Sequence, residues 1–315
     1  KRTRDARFLL KNAMAKDKAK TELRSTYGLC LAKLGQSETG FALLKESVEK
    51  MPTSILCLEN IALGYYESFD SHQADIYYSK LVQLQPDNVW PLLDRAALYE
   101  ESGNKKSALR DFNSALQISP ISQTVFWKRA VFFLKNKQYK EALADCKSCL
   151  NGEENVIAIR RRCLRAKVDA AERLGLYAEA ARDLDELNQV SIDAPKLSWG
   201  MRNDLLRQAA LFERSCNYSK ALETIRILEK YYPSKTEVLL IKARILGKNK
   251  NFEQSLALCN YLIAKDDSIS EWHSMRAFAL RGLGRTKEAE KEETIARSKP
   301  DTGKMPDMFE NRIKN

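Results

Sequence analysis

Few residues in this chain have the type and spacing for catalysis. Cys146-Lys147-Ser148-Cys149 is a C-x-x-C, the spacing of dithiol redox motifs and of half a zinc site. No second C-x-x-C and no nearby histidine completes four ligands, and the two thiols read as small buried hydrophobes. His72 and His273 are the only histidines, with no Cys or Ser spaced to suggest a dyad, and both read as packing or surface residues. Asn217-Tyr218-Ser219 matches a glycosylation sequon, which would be silent in a reducing compartment. No P-loop, G-x-G-x-x-G or H-E-x-x-H is present. The reading is therefore no enzyme, no cofactor and no metal, with function carried by surfaces.

Composition bounds the scaffold behind those surfaces. The chain has 315 residues, 53 Lys plus Arg against 42 Asp plus Glu, and a formal net charge of +11. Only 12 glycines and 8 prolines are available, too few for the turn every 8–12 residues or so that an all-β fold needs. Seven scattered cysteines, an odd number, suit a reducing compartment better than a disulfide framework, which points to the cytoplasm, with nucleus or cilium as other possibilities. No run approaches the roughly 18 apolar residues of a membrane span. Residues 1–10 are basic without a following apolar stretch, and the missing initiator Met suggests a fragment or a processed chain.

Periodicity decides the fold. Ala62, Ala96 and Ala130 are 34 residues apart, as are Tyr65, Tyr99 and Phe133, then Ala74, Ala108 and Ala142, then Pro52, Pro86 and Pro120. Within one unit, Leu92, Leu93, Ala96 and Tyr99 recur at helical spacing until Gly103-Asn104 interrupts. A second amphipathic stretch then carries Ala108, Leu109, Phe112, Ala115 and Leu116 on one face, ending at Ser119-Pro120. Small residues fall where two helices approach closely. Each unit is a helical hairpin that buries its apolar face only against its neighbours.

A 34-residue helix–turn–helix with small residues at positions 8, 20 and 27, aromatics at 11 and 24 and Pro at 32 resembles the tetratricopeptide repeat. Complete repeats start at Thr21, Ile55, Val89, Gln123, Arg161, Arg202, Thr236 and Ser270, with insertions Ile157–Arg160 and Pro195–Met201 around the fifth. The resemblance implies an all-α, right-handed α-solenoid of about eight hairpins. Residues 1–20 read as the second helix of a truncated repeat (or a capping helix), 21–156 as repeats one to four, 157–201 as repeat five with its insertions, 202–303 as repeats six to eight, and 304–315 as a cap or tail.

In this family the first helix of each repeat lines a concave groove through positions 2, 5, 9, 12 and 13. Carried onto this sequence, Leu56, Glu59, Leu63, Tyr66, Trp90, Leu93, Trp127 and Val131 make one half apolar and aromatic with acidic edges. Arg162, Arg165, Arg173, Arg214, Arg244 and Arg281 make the other half basic. The alternative is that Trp90 and Trp127 pack between helices and the arginines form a solvated face. The family's carboxylate clamp for chaperone C-termini is absent, because Asn60 has Ser25, Leu29, Trp90 and Asp94 where the pattern wants Lys, Asn, Lys and Arg.

The net charge is local. Residues 1–20 carry eight Lys or Arg against two Asp, and Arg160, Arg161, Arg162, Arg165 and Lys167 form a second basic patch with no acid among them. The expected function is a non-catalytic scaffold that holds a protein or peptide segment, with apolar anchors and acidic groups, inside a larger and possibly ciliary or cytoskeletal complex. Alternatives are an RNA-associated or nuclear adaptor using the second patch, and a regulatory module of a larger enzyme. Nucleic acid is the less favoured partner, because the recurring aromatics are committed to packing.

Overall fold

The computed structural model describes residues 21–152, 157–188 and 199–299, and all regular structure among them is α-helical. The expectations for residues 1–20 and 304–315 lie outside the described residues. Helices pair in chain order: α1 (Thr21–Lys33) with α2 (Ser37–Lys50), α3 (Ile55–Glu67) with α4 (Ser71–Leu84), and α5 (Val89–Glu101) with α6 (Lys105–Ile118). Then follow α7 (Gln123–Lys135), α8 (Tyr139–Asn151), α9 (Ile157–Arg173), α10 (Tyr177–Asn188), α11 (Trp199–Arg214) and α12 (Tyr218–Tyr231). The last two hairpins are α13 (Thr236–Lys248) with α14 (Phe252–Lys265) and α15 (Ser270–Gly282) with α16 (Thr286–Ser298).

First helices begin where the repeat frame places them, except at the two insertions. There α9 starts at Ile157 rather than Arg161 and α11 at Trp199 rather than Arg202, so residues 157–160 and 199–201 lie within the helices. Ile157-Ala158-Ile159-Arg160 contains no breaker, and propagating a helix already nucleated is favourable. Side-chain caps begin several helices: Ser54, Asp70, Asn88, Asn104 and Asn217 each accept a bond from a backbone N–H of the first turn. Asn217, the sequon asparagine, is thus a helix cap.

Each hairpin turns through one residue with positive φ: Gly35, Phe69, Gly103, Lys137, Gly175, Cys216, Lys250 and Gly284. Glycine takes that conformation freely, whereas the four side-chain-bearing residues are strained by about 1–2 kcal/mol each. The small-residue rule has its tightest expression in the first hairpin. A Cβ on Gly28 would lie 2.8 Å from the carbonyl oxygen of Gly40, and one on Gly40 would lie 2.7 Å from the carbonyl oxygen of Gly28. Both obstacles are backbone, so the helices themselves would have to separate. Gly28→Ala is therefore expected to lower unfolding stability by about 1–3 kcal/mol, read as a shifted urea midpoint with an unchanged slope.

The described residues form two compact units, 21–132 with 151–152, and 133–150 with 157–188 and 199–299. The core of the first collects Leu29, Leu44, Leu58, Ile61, Tyr65, Tyr78, Leu81 and Leu98 from α1 to α5. In the second, Trp272 packs with Leu239, Leu240 and Leu262. A charged tie recurs inside hairpins. Arg95 grips Asp111 with two bonds of 2.7 and 2.8 Å, and Lys167 holds Asp183 at 2.9 Å, each pair 16 residues apart.

Candidate functional site

In the first unit the first helices α3, α5 and α7 carry the predicted apolar face. Leu56 and Trp90 occupy the same repeat position, and both are exposed, Trp90 at 54 %. Glu59 is exposed too, while Leu63, Tyr66, Trp127 and Val131 are half-buried. Leu63 and Tyr66 rest on the core, and the Tyr66 hydroxyl donates to a carboxylate oxygen of Glu101. Leu93 does not belong to this face. It is 0 % exposed, because burial is worth about 1.5–3 kcal/mol to an aliphatic side chain, whereas Glu59 at the same repeat position stays hydrated. Phe69, in the strained turn that follows α3, presents a ring that is 87 % exposed. Asn60 is buried and donates to Ser25 and Thr26 of the preceding repeat, both at 3.2 Å.

The acids of this face differ in their company. Glu67 pairs with Lys33 at 2.6 Å. Glu59 and Asp94 make no ion pair or side-chain hydrogen bond among the described residues. Their partly desolvated surroundings raise both pKa values; the charge of Asp94 adds to the rise at Glu59, and Lys128 partly offsets the rise at Asp94. Nearby Tyr78 is likewise held above the ordinary phenol range, first by burial and then by Asp94, Glu59, Glu67 and Glu101.

The second unit corrects the expectation of a bare basic face. Arg244 binds Glu213 through contacts of 2.8 and 3.0 Å, and Lys248 reaches the same carboxylate at 2.8 Å. Arg214 lies 4.0 Å from the centre of the Tyr177 ring and donates to its hydroxyl at 2.6 Å. Arg281 pairs with Glu293 at 2.8 Å and Arg165 with Asp204 at 3.5 Å. Arg162 and Arg173 are exposed. Missed in the sequence was Arg207, which bridges Asp169 at 2.6 Å and Glu172 at 2.7 Å. The legible signal was opposite charges on first helices 31–39 residues apart.

The basic patch is also largely engaged. Arg160 bonds Glu186 at 3.1 Å through Nε, and Lys167 contacts both Asp183 and Glu179, at 2.9 and 3.2 Å. Burial opposes the charge on Lys167, but the two carboxylates outweigh it and its pKa is raised. For Asp183 burial is the larger influence, and its carboxyl pKa is raised as well. Arg161 remains exposed.

Both thiols of the C-x-x-C are buried, but they are not a free pair. Cys149 is disulfide-bonded to Cys163 of α9, with Cα atoms 6.6 Å apart. Cys146 stays reduced, its pKa pushed up to about 12 by burial, the opposite of an activated thiol. His273 is buried, with Nδ1 2.8 Å from Glu292 and Nε2 2.9 Å from Asp267, so neither nitrogen is left for base work. No group of three metal-ligating side chains gathers among the described residues, and none of their helices is long and apolar enough to cross a membrane.

No family model matches the chain. It is 23 % identical over 228 residues to human "Superkiller complex protein 3", covering 70 % of this chain and 14 % of that one. Over 96 residues it is 32 % identical to human "Tetratricopeptide repeat protein 34", covering 30 % of this chain and 17 % of the relative. A tetratricopeptide repeat protein of Parabacteroides merdae, solved by crystallography, superposes with a TM-score of 0.48 at 17 % identity, covering 82 % of this chain and 98 % of that one. The chain therefore spans about a sixth of the length of the curated relatives it matches. Among the described residues, helical hairpins that begin in a 34-residue frame except at the two insertions, with small residues at most of their crossings, give the chain a tetratricopeptide-type fold, similar to that of the relatives named above.

Proposed function

We propose that the chain is a non-catalytic docking element of a multiprotein complex, and that the first-helix face of residues 21–132 receives an extended segment of a partner protein. The observation that carries this reading is the exposure of Leu56 and Trp90 at equivalent positions of neighbouring repeats. Exposed large apolar side chains in register form a face that association would desolvate. The name of the human relative, a protein of the superkiller complex, supports membership in an assembly.

The test is recovery of partners from cells on the chain and on Trp90→Ala. An exposed indole contributes little to folding, so the variant is expected to melt within a degree or two of the parent and to lose about ten-fold in partner recovery at physiological salt. Unchanged recovery overturns the reading. The RNA-associated alternative rests on Arg161 and Arg162 at the start of α9; it predicts generic RNA binding that falls steeply with salt and is indifferent to Trp90.

A further inference from the structure

We propose that the first-helix face of residues 21–132 takes a cationic partner segment, with Lys or Arg side chains set against Glu59 and Asp94 and an apolar side chain against Leu56 and Trp90. This rests on the docking reading above and names the chemistry of the occupant. The sequence expectation set the partner's acidic groups against the arginines of the second half and assigned this half apolar anchors.

The argument starts from a contrast between the two units. In the second, carboxylates on the first helices are matched by cations: Glu213 by Arg244 and Lys248, and Asp169 and Glu172 by Arg207. In the first, Glu67 has Lys33 and Glu101 has the Tyr66 hydroxyl. Glu59 of α3 and Asp94 of α5, both exposed, have no such match, and Lys128 of α7 is the cation that Asp94 feels at longer range. Tyr78 of α4, Glu67 and Glu101 complete the charged and titratable surroundings, and all three are acids. The chain thus presents two unpaired carboxylates one helical turn from exposed Leu56 and Trp90. A cationic segment complements both parts, where an acidic one would add repulsion.

The sign of the pH effect follows. Both carboxyl pKa values are raised in the folded protein, so between the unfolded and folded values the folded state binds more protons. Their contribution favours folding at low pH and is lost as pH rises through the carboxylate range. A bound cation reverses the loss, so affinity for a cationic segment rises over the same interval.

The probes are two short end-blocked fluorescent peptides, one alternating lysine and leucine and the other alternating glutamate and leucine, titrated by anisotropy against the chain. The lysine peptide is expected to bind, with affinity that rises as pH climbs through the carboxylate range and falls with salt. Glu59→Gln and Asp94→Asn should each weaken it about five-fold, and the double variant more, while every one of these variants melts at or above the parent temperature. A structural role would lower melting temperature and affinity together, and that result overturns the proposal. So do equal binding of the glutamate peptide and affinity indifferent to both substitutions. Failure of the docking reading has a different signature. Trp90→Ala then leaves lysine-peptide binding intact while Glu59→Gln still weakens it; the converse pattern keeps the docking face and removes the cation.

Discussion

Asp111→Ala is expected to destabilise the chain by about 3–5 kcal/mol, because it strands the Arg95 guanidinium inside the second and third hairpins. The pair is largely buried, with side-chain exposures of 18 % for Arg95 and 3 % for Asp111, and its two parallel bonds are the geometry in which arginine and carboxylate interact most strongly. Asp111 is the first cause of the raised Arg95 pKa, but arginine stays protonated at ordinary pH without it, so the charge persists after its partner is gone. What remains is Ser79, which accepts from Arg95 at 3.0 Å, the face of Tyr99 at 5.8 Å, and the charge of Asp75 at longer range. None of them replaces the paired contact with Asp111. The value of the tie lies in the penalty for breaking one side of it, which predicts non-additivity: Asp111→Leu combined with Arg95→Met should recover much of the loss. Urea unfolding of the two single variants and the double measures this. Additive losses would show that each side chain acts alone.

Trp272→Ala carries the other large effect, about 3–5 kcal/mol. The indole is 3 % exposed and fills the seam between the last two hairpins, against Leu239, Leu240 and Leu262, with Leu258, Ile263, Ile269 and Met275 around it. Three helices, α13, α14 and α15, lose contacts to one cavity, and helices joined in pairs do not collapse readily into it. The loss should also be local. In a repeat array each hairpin is stabilised by its immediate neighbours, so α15 and α16 should open ahead of the rest. Amide exchange is the check: protection should fall in residues 270–298 and stay at the parent level in 21–132. A uniform loss across the chain would contradict nearest-neighbour stabilisation.

How much of this was legible beforehand depends on what each feature requires. Helix starts at Thr21, Ile55, Val89, Gln123, Thr236 and Ser270 could be read because every crossing of two helices demands a small residue, and that demand repeats in sequence. The starts at Ile157 and Trp199 could not, since whether inserted residues loop out or prolong a helix depends on packing. Trp90 lies on the surface as the frame implied, but Leu93, one turn along the same helix, turns inward. A repeat position fixes the direction of the Cα–Cβ bond; the side chain's affinity for water decides the remainder. The arginines are the larger lesson. Arg244 and Arg214 were visible as charge, whereas Glu213 and Tyr177, which occupy them, belong to neighbouring helices, and a repeat frame alone does not say which side chains of adjacent helices meet. Glu59 and Asp94 were both in plain sight, but only the folded chain shows that a pair of like charges meets there.

The disposition of these ties along the chain has a mechanical consequence. The side-chain bonds described above join residues no more than 39 apart, the reach from Arg165 to Asp204. Under a pulling load, none of these ties among the described residues reaches beyond a neighbouring repeat. The chain should give way one hairpin at a time, at low force, and refasten as the load is released, as a spring does. A partner bound across successive first helices would stiffen the repeats it covers, so occupancy of that face would be readable as tension.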